Sequence, residues 1–273
     1  MSNPNESRPD TALENLVAIM AKLRSDQGCP WDREQNHFSL KPCVIEETYE
    51  VVEAIDSGKP DKLCEELGDL LLQIVFHAQL AAEAGHFKIE DVIGGIIEKL
   101  IRRHPHVFGD VQVTGVSGVI ENWDRIKKSE APEERRSVLD GVPKDLPALM
   151  KAEKLQSKAA KVGFDWGNLE GPLSKVREEF DEFEELIRSE RPPLPHSPEW
   201  DQLEEEFGDI LFALVNVGRV MKINSELALL RTNNKFVERF QYIEKQASEG
   251  GRNLMEMTLD EMDTLWEEAK TKE

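Results

Sequence analysis

Apolar residues recur along most of this chain at helical spacing, with charged residues filling the positions between them. Leu13, Leu16, Val17, Met20 and Leu23 fall on one side of a helix predicted over 12–24. The same periodicity predicts helices over 39–57, 60–84 and 89–103, the last stopped by Pro105. Gly28-Cys29-Pro30-Trp31-Asp32 reads as a compact loop. Val107 to Gly118, rich in glycine and valine, predicts a short hairpin, and a helix carrying Trp123 follows over 119–128. Helix resumes near Ala148, continues as two amphipathic helices between Val176 and Gly218, and returns over 225–247 and 259–270. Residues 1–10 carry no apolar pattern and read as a disordered tail. The fold class is all-α.

The pattern repeats. Val44 to Ala78 matches Val176 to Gly218, each an acidic helix followed by a second headed E-x-G-D. Gly163-Phe164-Asp165-Trp166 echoes the Trp31-Asp32 loop. Lys99-Leu100-Ile101-Arg102-Arg103 parallels Lys235-Phe236-Val237-Glu238-Arg239, and Trp123-Asp124-Arg125 parallels Trp266-Glu267-Glu268. Two tandem helical-bundle domains follow, over 11–128 and 148–273. The joining segment 129–147 is charged and broken by Pro132, Gly141, Pro143 and Pro147. Its Leu139, Val142 and Leu146 are apolar enough to dock on a core.

The acidic helices carry the candidate chemistry. Each helical residue advances about 100°, so Glu178 and Glu182 sit nearly above one another with Glu179 beside them. Glu206 and Asp209 share a face of the following helix. Phe180, Phe183, Leu186, Ile210, Leu211 and Leu214 form the stripe expected to pack the two helices together. Like charges beside a core stripe repel one another and desolvate poorly. A hard divalent cation relieves both penalties, because it takes oxygen ligands. Glu46, Glu47, Glu50, Glu66 and Asp69 make the same set in the first half. Taken singly either cluster reads as a solvated helix face; taken twice, each with E-x-G-D, they read as metal cages.

Composition narrows the classes. A net charge of -20 and a pI near 4.8 argue against nucleic-acid binding. A polyanionic small molecule then binds only where a metal inverts the local field. Cys29, Cys43 and Cys64 are odd in number and form no C-x-x-C, so they read as reduced thiols of a cytoplasmic protein. The opening residues have no apolar core for a signal peptide, and no apolar run spans a bilayer.

The motif order resembles the MazG family of nucleoside triphosphate pyrophosphohydrolases nearly end to end. The residues that carry it are Gly28 to Asp32, Glu46-Glu47-x-x-Glu50 with Glu66-x-x-Asp69, Arg102-Arg103-His104-Pro105-His106-Val107-Phe108-Gly109, and Glu178-Glu179-x-x-Glu182 with Glu206-x-x-Asp209. The resemblance implies an all-α pyrophosphatase fold and dependence on Mg²⁺, with Mn²⁺ as a substitute. It implies cleavage of nucleoside triphosphates to monophosphate and pyrophosphate by a homodimer whose helices complete the site together. It places metal on the ten carboxylates named above. A carboxylate not fully used by metal can deprotonate a water; Glu179 is one candidate, and the sequence does not choose among them. Lys235 and Arg239 lie at i and i+4 on one face, as do Lys99 and Arg103. Their spacing alone suits surface ion pairs as well as phosphate, and the resemblance favours phosphate. Trp166 and Trp266 are candidates for stacking on a base.

Two rival classes remain at this level. A di-iron carboxylate bundle wants two Glu-x-x-His motifs; the chain offers Glu83-x-x-His86, interrupted by Gly85. A non-enzymatic acidic binding module would not require a duplicated E-x-G-D.

The C-terminal half is expected to carry most of the activity. Aligned on Gly28 and Gly163, Lys158 and Lys161 replace Leu23 and Asp26, adding cations for a phosphate chain. Asn233 and Asn234 precede Lys235 where Ile97 and Glu98 precede Lys99, and asparagine can donate to phosphate or base.

Overall fold

The computed structural model describes residues 12–130, 137–188 and 194–272, and the tail expectation for residues 1–10 lies outside them. Among the described residues there are helices and turns and no strand. The chain divides into two compact units after Ala131, inside the segment expected to join the domains. Residues 131–136 of that segment lie outside the described residues.

The first unit holds α1 (Ala12–Leu23), α2 (Pro30–Glu34), α3 (Lys41–Ser57), α4 (Pro60–Glu83), α5 (Ile89–Arg103), α6 (Pro105–Phe108) and α7 (Gly115–Ser129). Helix α3 ends where Gly58 turns left-handed at φ 64°, a conformation glycine adopts without a Cβ penalty. Pro60, at the start of α4, then turns the chain back, so α3 and α4 pack as a hairpin. Helix α1 lies on α4. The core between them is Met20, Leu40, Val75, Phe76, Ala78, Leu80 and Ile89, with Leu13, Leu16, Val17, Cys43, Leu72 and Ile93 packed around it.

The second unit holds α8 (Ala148–Ala160), α9 (Glu170–Ile187), α10 (Pro198–Val220), α11 (Ser225–Glu249) and α12 (Leu259–Lys270). Helices α9 and α10 form its hairpin and α8 packs on α10, so α8, α9 and α10 repeat the arrangement of α1, α3 and α4. Ser197 caps α10 by accepting from the Trp200 amide, and Thr258 and Glu261 close a capping box on α12.

Three local expectations are corrected. The hairpin over 107–118 is absent. Pro105 both ends α5 and opens α6, because a proline has no N–H to lose at a first helical position. Residues 109–114 are irregular and α7 starts at Gly115. The Gly28–Asp32 loop is likewise half helix, since Pro30 starts α2. The apolar stripe is also redistributed. Ile210 is buried, and Phe183 meets Phe207 with ring centroids 6.0 Å apart. Phe180, Leu211 and Leu214 are exposed instead, at 46%, 41% and 45%.

Candidate metal and nucleotide site

Helix periodicity brings carboxylates from α9 and α10 to one place. Glu179, Glu206 and Asp209 each offer an oxygen, and these oxygens lie within 4.8 Å of one another. Glu179 is buried, at 5% exposure. One turn before it, Lys175 pairs with Glu179 at 2.7 Å and with Glu178 at 2.8 Å. Hydrogen bonds to both glutamates raise the affinity of that ammonium for its proton. Burial raises the Glu182 carboxyl above the usual range, and the charges of Glu179 and Glu206 push it further. Glu206 Oε2 is buried with no hydrogen-bond partner. An uncompensated buried polar atom costs about 1–3 kcal/mol, more when charged. The set is all carboxylate oxygen, which fits Mg²⁺ or Mn²⁺ and not a soft metal.

A cavity of about 520 Å³ opens beside these acids. Its walls come from α8, α9, α10 and the loop at Phe164–Trp166, and they include Lys175, Glu179 and Asp209. Leu139, from the joining segment, lines it while remaining 42% exposed. Gln156 and Asn216 contribute buried amides. Asp165 fastens the loop to α10 by accepting two bonds from Arg219, at 2.7 and 3.1 Å. That guanidinium holds the Asp165 carboxyl below its ordinary value.

The first unit repeats the acids and not the cavity walls. Glu47, Glu66 and Asp69 also lie within 4.8 Å of one another. Burial raises the Glu47 carboxyl, with Asp69 and Glu50 adding to it, and Glu66 is raised by burial and by Glu50. Counting from the acids, however, Lys175 becomes Cys43 and Asn216 becomes Phe76. The most buried residue of α8 is Gln156; that of α1 is Met20. Met20 and Phe76 are core residues, at 1% and 3% exposure. Arg24 stacks over Phe76 with its guanidinium carbon 5.5 Å from the ring centre and pairs with Glu83 at 2.7 Å.

The MazG nucleotide pyrophosphohydrolase domain matches this chain twice, over residues 35–108 and 169–243. The chain belongs to the MazG family. It is 47% identical over 258 residues to the nucleoside triphosphate pyrophosphohydrolase/pyrophosphatase MazG of Thermotoga maritima, covering 94% of this chain and 95% of that one. It is 41% identical over 263 residues to the nucleoside triphosphate pyrophosphohydrolase of Escherichia coli strain K12, covering 96% and 98%. The uncharacterized protein YabN of Bacillus subtilis is 54% identical over 256 residues, a stretch that is 94% of this chain and 51% of that protein.

Each MazG repeat therefore brings together three of its five expected ligands. Glu182 and Glu50 sit close enough to bond Glu179 and Glu47. Glu178 and Glu46 are exposed, and Glu178 is engaged by Lys175. Trp166 lines the cavity. Lys158 is not aimed at it: its ammonium donates to the carbonyls of Val138 and Asp140 at 3.3 and 2.8 Å, holding that loop. The alignment that set Lys158 against Leu23 also slips. The Cys29 amide reaches back six residues to Leu23, whereas the Phe164 amide reaches back five to Ala159. Lys158 therefore matches Lys22, and the expected extra cation disappears. Lys161 and Asn233 are exposed and do not line the cavity.

Lys235, Arg239 and Trp266 also lie away from the cavity lining. Arg239 covers the Trp266 ring at 5.4 Å, and Phe236 packs against that ring at 5.3 Å, so α11 and α12 fill the face proposed for a base. Arg103 bonds Glu130 at 3.0 Å, and Lys99 is exposed. Glu83 is committed to Arg24, which removes the Glu-x-x-His half of the di-iron reading. No spacing or motif marked Gln156, Asn216 or Arg219 in the sequence. Nor did it mark the stacked pair His37 and His77, with Nδ1 atoms 2.8 Å apart.

Proposed function

We propose that this chain hydrolyses nucleoside triphosphates to the monophosphate and pyrophosphate, with the C-terminal repeat as the principal site. The carrying observation is the cavity that shares Glu179 and Asp209 with the carboxylate cluster. It places an apolar, amide-bearing chamber against the group of acids that needs a cation. The relatives named for this reaction match over nearly their whole length.

The acids fit Mg²⁺, and Mn²⁺ equally by donor type. Glu179, Glu206 and Asp209 would hold it, with Glu182 alongside. When bound, such a cation offsets the charge of phosphate oxygens and makes the phosphorus more electrophilic. The chain's own groups do the rest. Lys175 pairs with Glu179 and lines the cavity, so its ammonium can pass from Glu179 to a phosphate oxygen. A carboxylate oxygen of the cluster that the cation leaves free would orient the attacking water and take its proton, and Glu179, buried and lining the cavity, is our choice. Trp166 and Phe164 offer aromatic surface to a base.

The working form is a homodimer. Leu67, Leu71 and Ile74 on α4, and Phe207, Leu211 and Leu214 on α10, are exposed at matching helical positions beside the acids. Exposed apolar stripes of this kind mark an interface. Lys235 lies outside the cavity of its own chain, which fits a site completed by a second copy. We place the protein in the cytoplasm, consistent with three free thiols. No helix among the described residues is long and apolar enough to cross a membrane.

A pyrophosphate-release assay on a panel of triphosphates tests the proposal. Release that requires Mg²⁺ and stops in excess chelator is expected. Undiminished hydrolysis in chelator would contradict it.

A further inference from the structure

The C-terminal cavity holds an amide that phosphoanhydride cleavage does not call for. Gln156 is only 8% exposed. Its side-chain nitrogen donates to the Phe212 carbonyl at 2.8 Å. That bond fixes which end of the amide is which, because only the NH₂ group can donate to a carbonyl. Gln156 Oε1 is therefore an oriented acceptor, and it is buried with no hydrogen-bond partner. The residue lines the same cavity as Trp166 and Asp209.

The fold itself does not demand this arrangement. The first unit builds the same three-helix packing with Met20 as the buried residue of its matching helix. An apolar side chain of similar length thus satisfies the packing at that place. A buried acceptor without a partner persists where a ligand completes it. Asn216, 7% exposed, adds a second polar point. Its Oδ1 accepts from Arg219 Nε at 2.9 Å, so the group it can still offer is its amide NH₂. Its counterpart in the first unit is Phe76.

The geometry points to Gln156 as the residue that reads the base of the triphosphate, by accepting a hydrogen bond from an N–H on the base edge. This rests on the reading that the C-terminal site cleaves nucleoside triphosphates. Adenine, guanine, cytosine and uracil all present such an N–H, as an exocyclic amino group or a ring imide. Gln156 accordingly accepts each natural base. It discriminates against a base that carries ring acceptors only, since that base leaves the buried oxygen unpaired.

The test compares ATP with purine riboside triphosphate, whose base lacks the amino group and every other N–H on that edge. Values of kcat/KM are measured in saturating Mg²⁺ for the parent and for Gln156→Met. The parent should prefer ATP by about tenfold to a hundredfold, the range for leaving one buried neutral acceptor unpaired. Gln156→Met should bring the ratio to within about twofold, through a fall on ATP while the analogue is unchanged. The melting temperature should hold or rise, as Met20 leads one to expect. Gln156→Leu is the second variant. An ATP preference that survives in either variant, or is absent from the parent, overturns the inference. So does a failure of both variants to fold, which would make the amide structural. If the parent cleaves neither triphosphate, the functional reading fails first, and the result is distinguishable because no ratio exists.

Discussion

Glu206 shows what a single residue contributes here. One of its oxygens is buried without a partner, in a group of three carboxylates within 4.8 Å. Mutual repulsion makes that arrangement unfavourable until a cation joins it. Glu206→Gln should therefore raise the melting temperature measured in chelator, by removing a charge. It should also abolish most of the rise on adding Mg²⁺, because binding stabilises only what it binds. Differential scanning fluorimetry with and without Mg²⁺ checks both signs; a variant that keeps the full shift would remove Glu206 from the ligand set. Asp209→Asn should keep its fold and lose most turnover, since an amide is a weaker ligand for a hard cation. Turnover equal to the parent at matched Mg²⁺ would contradict this. These acids were legible in the sequence because carboxylates at i and i+3 or i+4 share a face. Gln156 and Asn216 were not. A lone amide on a helix has no periodic signature, and its importance appears only when its burial and partners are known. Lys158 was misread because a one-residue difference in the turn after α1 shifts the alignment on which it rested.

At the scale of elements, the loop between α8 and α9 is set by close packing. A Cβ added to Gly171, at the start of α9, would lie 2.3 Å from the Trp166 ring. Gly171→Ala should displace that ring from the cavity wall and raise KM for triphosphate by roughly tenfold, with a smaller change in kcat. Steady-state kinetics decide it, and an unchanged KM would show that Trp166 does not touch substrate. In the first unit, Arg103 and Arg102 of α5 bond Glu130 and hold its carboxyl down to about 2. A depressed carboxylate contributes stability above its unfolded value near 4.5, and loses it as pH falls toward about 2. The gap in melting temperature between parent and Glu130→Gln should then be full near neutral pH and close on acidification through that window. A gap that widens would reverse the sign. Helix positions were readable because apolar periodicity and proline are strong local signals. The expected hairpin over 107–118 failed for a local reason too: Pro105 can start a helix as readily as stop one.

For the molecule as a whole, duplication gives two acid clusters and divergence gives one of them a chamber. The repeat and the family were legible because motifs recur in the same order. The sequence argued for a more active C-terminal repeat from Lys158, Lys161, Asn233 and Asn234; the difference the structure shows between the units is one of packing. Met20 and Phe76 fill one unit where Gln156 and Asn216 line a cavity in the other. Glu182→Gln should therefore lower triphosphate hydrolysis at least tenfold more than Glu50→Gln, assayed side by side. Equal losses would give the first repeat an equal share. The exposed stripes on α4 and α10 predict a solution mass about twice the 31.1 kDa chain, measured by light scattering. The bond that breaks defines the reaction. Phosphorus NMR of ATP turned over with Mg²⁺ in oxygen-18 water reads it directly. Attack of water on the α-phosphorus gives pyrophosphate and AMP as first products, with the label on the AMP phosphate. Orthophosphate and ADP as first products, or label in the pyrophosphate, would contradict it.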